Sequence, residues 1–147
     1  MTPPRPVSGH LRPASEADRP FLRGWAASFG REVGEGSDEA RVDEVLDRVL
    51  RHGPQGLFLW EDGQPVSMAA YGGPTPNGIR VNLVYTPPEF RRRGYASACV
   101  AALSQRLLDS GRRFCFLYTD LGNPISNHIY QEIGYRPVCD VDAYRFG

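Results

Sequence analysis

The sequence predicts an α+β (mixed α/β) domain, one mixed sheet lying between helices, and three observations carry this. The chain has 147 residues, the size of one ordinary domain that buries enough surface to need no disulfide or metal staple. Its apolar residues recur at helical spacing up to Leu50 and then change to short runs and alternation from Leu57 onward. Finally, an alternating strand, a long amphipathic helix and a continuous apolar strand follow one another between Ile79 and Tyr118, a crossover that makes its two strands parallel.

The opening residues are Pro-rich and read as a loose tail, apart from a short strand near His10 to Arg12. Ser15 with Asp18 resembles a capping box, but Pro20 disfavours a helix already running through it. Asp18 is therefore expected to be the N-cap, with Pro20 in the first turn. Phe21, Leu22, Trp25 and Phe29 then share one face, and Gly30 to Gly36 breaks the pattern. Ser37 caps a second helix carrying Val42, Val45, Leu46, Val49 and Leu50 at helical spacing, which ends before Gly53-Pro54.

Leu57 to Trp60 is an apolar strand, Asp62-Gly63 signals a two-residue hairpin, and Val66 to Tyr71 returns. After a Gly/Pro loop from Gly72 to Gly78, Ile79, Val81, Leu83 and Tyr85 alternate with Arg80, Asn82, Val84 and Thr86, so one face is expected to be apolar. Pro87-Pro88 stops this strand. A helix from about Tyr95 to Ser110 buries Ala96, Cys99, Val100, Leu103 and Leu107, and Phe114 to Tyr118 reads as a buried strand. Asn123-Pro124 opens a last helix to about Ile133, and Tyr135 to Arg145 supplies one closing strand.

Composition narrows the function. The 17 basic and 17 acidic residues cancel, so nothing global attracts nucleic acid or an anionic membrane. Every basic residue is arginine, which removes P-loop, Schiff-base and nucleophilic lysine chemistry and leaves the planar fork that suits phosphate. Cys99, Cys115 and Cys139 are too widely spaced for a zinc knuckle, and the histidines are as scattered. No metal is expected. Met1 to Pro13 lacks the apolar stretch of a signal peptide, and no run approaches a membrane span. A reduced, cytoplasmic setting is expected.

The chemistry concentrates between Val84 and Ser97, where a strand ends, Arg91-Arg92-Arg93-Gly94 turns, and a helix begins. The first amides of a helix lack internal partners and carry the positive end of its dipole. A turn aimed into that end makes a cradle of N–H groups for phosphate. The alternative is a solvated arginine run before an ordinary helix.

Arg91, Gly94 and Ala96, following Tyr85-Thr86-Pro87-Pro88-Glu89, form an R-x-x-G-x-A pattern. It resembles the acyl-CoA pyrophosphate loop of the GNAT superfamily of N-acetyltransferases. Asn123, Ser126 and Tyr130, followed by Ile133-Gly134-Tyr135, resemble that family's second cofactor motif. The resemblance spans about Leu57 to Arg145, and extends also to the C-terminal domain of longer two-domain acetyltransferases. It implies six to seven strands, four helices and a splayed parallel strand pair forming an acyl-CoA cleft. It also implies a single N-acetyltransferase domain over residues 10–147 after a flexible tail at 1–9.

By the same resemblance, Leu83, Val84, Tyr85 and Thr86 offer backbone to the pantetheine arm. The amides of Arg92, Arg93, Gly94, Tyr95, Ala96 and Ser97, with Arg91, form the pyrophosphate cradle. Asn123 lies near the thioester, and Tyr130 protonates the departing thiolate. Asn123, Asn127 and Tyr130 also fall on one helical stripe. On the residues alone, Asn123 reads equally as an N-cap and Tyr130 as a core aromatic.

The implied reaction is acetyl transfer from acetyl-CoA to a primary amine by direct attack. A non-catalytic acyl-CoA sensor of the same fold is the alternative. Glu61, Glu89, Asp120 and Glu132 are candidate bases by type. Trp25, Phe29, Glu32, Glu35, Tyr71, Arg80 and Asn82 border the region where the family admits its acceptor. A small amine and a peptide amine both stay open there, as does a homodimer.

Overall fold

The computed structural model describes residues 7–32, 39–53, 55–72, 78–118, 136–137 and 143–146. Strands β1 (His10–Pro13), β2 (Gly56–Glu61), β3 (Pro65–Gly72) and β4 (Gly78–Tyr85) form an antiparallel meander. Helices α1 (Arg19–Glu32) and α2 (Glu39–Val49) stand between β1 and β2. Helix α3 (Tyr95–Asp109) crosses over to β5 (Phe114–Tyr118), which lies parallel to β4. β6 (Arg136–Pro137) and β7 (Ala143–Phe146) complete a seven-stranded sheet in the order β1-β2-β3-β4-β5-β7-β6. The mixed sheet and the parallel crossover are as the sequence predicts. The helix expected from Asn123 to Ile133 lies outside the described residues.

Both faces of the sheet are covered, which is why β2 reads as a continuous apolar run rather than an alternating one. Phe58, Ile79 and Val81 pack with Cys99, Val100, Leu103 and Leu107 of α3. Leu57, Leu59, Met68 and Ala70 pack on the other face with Leu22 of α1 and Leu46 and Val49 of α2.

Five local expectations are corrected. Asp18 is not a simple N-cap: Ser15 opens a 3-10 turn over Glu16–Asp18 that runs into α1, with Ser15 N donating to Asp18 Oδ2 at 2.8 Å. Pro20 is tolerated because, as the second residue of α1, its missing amide has no helical acceptor to lose. Gly30 does not end α1; it is buried within it, and its propensity cost of roughly 1 kcal/mol is too small to stop a packed helix. The hairpin loop has three residues, because Glu61 pairs with Pro65 after a register shift at Trp60/Glu61, with Gly63 at φ +74°. The closing segment is two strands rather than one. Pro137 has no amide to continue a ladder, and the chain returns so that β7 docks on β5.

The fifth correction shapes the site. β4 does not alternate throughout. Leu83 has φ +50°, and the register slips so that Ala70 faces Asn82 while Met68 faces Tyr85. This bulge exchanges the faces. Ile79, Val81 and Val84 pack toward α3, whereas Leu83 and Tyr85 pack toward α1 and α2.

The start of α1 is tied to the sheet by charge. Arg12 Nη1 and Nη2 each reach one oxygen of buried Asp18 at 2.9 Å, and its Nε donates to Glu61 at 3.0 Å. These donors, Arg12 first, hold the Asp18 carboxyl below its ordinary range, against the opposing effect of burial. A depressed folded-state pKa stabilises above the unfolded value and is lost as pH falls through the folded one. Asp18→Asn is therefore expected to flatten the acid limb of stability. Urea midpoints at pH 7 and below about pH 3.9 check this, and parallel losses in both proteins would refute it.

Candidate functional site

Among the described residues, β4 and β5 pair from Gly78↔Phe114 to Arg80↔Phe116, although β4 runs on to Tyr85 and β5 to Tyr118. β4 keeps its pairing with β3 as far as Tyr85, and β5 its pairing with β7 as far as Tyr118, so the two strands part from one another beyond Arg80 and Phe116. The edges of Val81 to Tyr85 thus face a cleft instead of a ladder, with backbone groups available to an extended ligand.

The end of β4 leads into the arginine turn. A 3-10 turn spans Pro88–Phe90, and Arg91 N closes it on Pro88 O at 3.3 Å. Arg92 has φ +66° and Gly94 has φ +84°, ψ 6°. Gly94 is the N-cap of α3 and has no side chain to cap it. The first helical bond runs from Ala98 N to Gly94 O at 3.0 Å, so the amides of Tyr95, Ala96 and Ser97 point out of the helix end. Successive N–H groups around left-handed residues form an anion-binding nest, here on the positive end of a 15-residue helix. The chemistry of this donor set fits a pyrophosphate.

The side chains around the nest are largely engaged in holding it. Arg91 Nε donates to Thr86 O at 2.8 Å, and Nη2 meets both Glu32 oxygens at 2.7 and 2.8 Å. This ties the C-terminal turn of α1 to the start of the loop. The Arg91 guanidinium carbon also lies 5.7 Å from the Tyr85 ring centre. Thr86 is buried and shares a hydrogen bond with Ser67 Oγ at 2.8 Å. Tyr85 is buried against Trp25, with ring centres 6.2 Å apart. Tyr95 donates its hydroxyl to Asp62 Oδ2 at 2.6 Å, and Ser8 Oγ donates to the same oxygen at 2.8 Å. The Tyr95 and Ser8 hydroxyls hold the Asp62 carboxyl low, and the carboxylate in turn raises the Tyr95 hydroxyl.

Val84, Ala96 and Ser97 are half-buried, whereas Arg92 and Arg93 are exposed at the loop. The predicted loop residues and strand end therefore come together at one site. Asn123, Asn127 and Tyr130 lie outside the described residues, as do Asp120, Glu132 and Glu35. Of the remaining candidate bases, Glu61 is held by Arg12 and Glu89 is exposed on the 3-10 turn. The partners Glu32 and Asp62 were not legible as such: each is distant in sequence from the arginine or tyrosine it holds, and only the packing of α1 and of the β2–β3 hairpin brings them there.

Beside the bulge, a cavity of about 300 Å³ opens between α2 and the β3–β4 pair. Arg80 and Asn82, expected at the acceptor side, line it together with Leu83. Arg48 of α2 and Gln55 join them, and no local pattern links these to Arg80. Trp25 packs edge-on against Phe21, with centres 5.0 Å apart, and joins Phe29 in the apolar layer under α1.

A helix N-terminus set in a Gly-containing nest, beside a parallel strand pair that parts, offers a phosphate site next to open strand backbone, and the family match makes the chain an acyl-CoA-dependent acetyltransferase. The chain belongs to the GNAT acetyltransferase family, whose model, "Acetyltransferase (GNAT) family", matches residues 20–135. No curated protein matches it by sequence. Among solved structures, it is similar to a PaiA N-acetyltransferase from Thermoplasma acidophilum in complex with coenzyme A: 13% identity, TM-score 0.71, covering 95% of this chain and 99% of that one. It is also similar to a spermidine N-acetyltransferase from Vibrio cholerae in complex with CoA and spermine: 15% identity, TM-score 0.75, 92% of each chain. A third is aminoglycoside N-acetyltransferase AAC(6')-Iy in complex with CoA: 19% identity, TM-score 0.77, 95% of each chain. At these identities the likeness is one of fold. Among the described residues, no helix is long and apolar enough to cross a membrane.

Proposed function

We propose that this protein transfers an acetyl group from acetyl-CoA to a primary amine by direct attack, in the cytoplasm. The observation that carries the reading is the uncapped start of α3, where Gly94 at φ +84° leaves the helix amides open beside the cleft between β4 and β5. In this reading, the amides from Arg92 to Ser97 take the pyrophosphate, and Arg92 and Arg93 add charge at the rim. Arg91, Thr86, Tyr85 and Tyr95 shape the loop through the contacts above. The backbone of Val84 to Thr86 takes the pantetheine arm, and a Val84 amide polarises the thioester carbonyl.

Asn123 is assigned to the thioester end of the cleft. Tyr130 gives its hydroxyl proton to the thiolate as it leaves, a plausible transfer for a phenol with pKa near about 10. The CoA-bound relatives support the binding half of this reading.

Coenzyme A and acetyl-CoA are expected to bind at micromolar to low-millimolar affinity, and adenine far more weakly, because the nest addresses phosphate. Titration calorimetry of the full chain reads this directly. No heat with acetyl-CoA, together with no thermal shift, would end the proposal.

A further inference from the structure

We infer that Asp62 is a positioning residue for the coenzyme: with residues 7–9 it clamps the first turn of α3, so that the Tyr95 amide is held in place beside those of Ala96 and Ser97. This rests on the acetyl-transfer reading above and names what keeps its phosphate site in shape. Asp62 stands in the hairpin loop between β2 and β3. Tyr95 supplies one of the nest amides, and its side chain reaches away to that hairpin. The residue is buried, and its hydroxyl donates to Asp62 Oδ2 at 2.6 Å. A short O–H bond to a carboxylate is among the stronger hydrogen bonds. Which rotamer a side chain adopts depends on φ and ψ, so tying the far end of Tyr95 restricts the backbone that carries the nest amide. The carboxylate raises the Tyr95 hydroxyl, which keeps the donor protonated, and Arg93 lies close enough to that hydroxyl to act in the opposite direction. The clamp therefore also borders one of the two rim arginines.

The segment ahead of β1 closes the clamp from outside. Ser8 Oγ donates to the same Asp62 oxygen at 2.8 Å, and Ser8 O accepts from Trp60 Nε1 at 3.0 Å. Gly9 makes this close crossing possible: at φ +115°, a Cβ there would stand 2.5 Å from Glu61 O and 2.6 Å from Trp60 Nε1. Stitched down at these points, the chain brings half-buried Val7 to the nest, with its Cγ2 on the side of Gly94 where a Cβ would project. Gly94 is thus walled by Val7, and the helical residue that follows it is tied through Tyr95. A bare carboxylate beside a phosphate site would repel its ligand. Here two hydroxyl donors occupy Asp62, which suits a group that holds the site rather than one that touches the ligand.

The test uses the full chain, with CoA titrated by calorimetry and a melting curve for each variant. Tyr95→Phe keeps the buried ring and removes only the donor, and Asp62→Ala removes the acceptor. Each is expected to weaken CoA binding by about tenfold, the loss of one hydrogen bond to a charged group. The double variant should lose about as much as Asp62→Ala alone, since both changes break the same contact. Asp62→Asn, whose amide oxygen still accepts from Tyr95, should keep most of the affinity. Gly9→Val forces residues 7–9 off the hairpin and should weaken CoA binding by about threefold or more with Asp62 and Tyr95 in place. Asp18→Asn breaks a tie to a carboxylate at the start of α1 and should leave CoA affinity unchanged. Lowered melting temperatures with normal CoA affinity would overturn the positioning role, as would losses that add in the double variant or an equal loss in Asp18→Asn. Normal CoA affinity in Gly9→Val would remove residues 7–9 from the clamp. No CoA binding by the unaltered chain would instead remove the underlying reading.

Discussion

Replacing Tyr130 with phenylalanine is expected to cut turnover by roughly a hundred- to ten-thousand-fold, while acetyl-CoA affinity and melting temperature stay nearly constant. The hydroxyl proton is needed only as the thiolate departs, so removing it acts on the transition state and not on the bound ground state. The loss corresponds to about 3 to 5 kcal/mol of barrier. A structural tyrosine behaves in the opposite way: losing its hydroxyl strands a buried partner at a cost of about 1 to 3 kcal/mol of stability and leaves chemistry alone. Steady-state kinetics and a melting curve on the same variant separate the two. Normal turnover with a lowered melting temperature would falsify the assignment of Tyr130 as the acid.

The second large effect is expected at Gly94. A β-branched residue there must adopt φ +84°, at roughly 1 to 3 kcal/mol of backbone strain, and its Cβ would stand 3.1 Å from Val7 Cγ2. Relieving that strain rotates the amides that form the nest. Gly94→Val should therefore weaken CoA binding by about tenfold or more, the loss of at least one charge-assisted hydrogen bond, as well as lowering the melting temperature. Gly111→Val is the matched control. Gly111 has φ +109°, and nothing lies within 4 Å of an added Cβ; it follows the opposite end of α3, so it imposes comparable strain away from the nest. It should lower stability and leave CoA affinity intact. Equal losses of CoA affinity in the two variants would mean that strain spreads through the domain and that the Gly94 loop is no cradle.

The nest is pre-formed by its neighbours. Arg91 is anchored on Thr86 and Glu32, and Tyr95 on Asp62, so the loop is held at both ends. Conformational entropy that would otherwise be lost on binding is already spent. On the proposed reading, the loop residues divide by role: Gly94 for its backbone, Arg91 for what it ties down, and Arg92 and Arg93 for charge.

Much of this was legible in the sequence because it is local. The place of the turn at Asp62-Gly63, though not its three-residue length, the apolar stripe of α3 and the glycine before its first turn are each decided by residues within a few positions of one another. Helix period, turn chemistry and the steric freedom of glycine act at that range. The mixed sheet followed from the same signals, since a strand–helix–strand order leaves few topologies. Tertiary structure alone decided what depended on choosing between faces. Strict alternation put Leu83 on the face of Ile79 and Val81; the bulge at φ +50° moved it to the other layer. That choice rests on packing against α1 and α3 together, a balance that no stretch of β4 contains. The same holds for Glu32 on Arg91. Charged side chains pair with whatever the folded layers bring within reach, and sequence distance does not limit that choice.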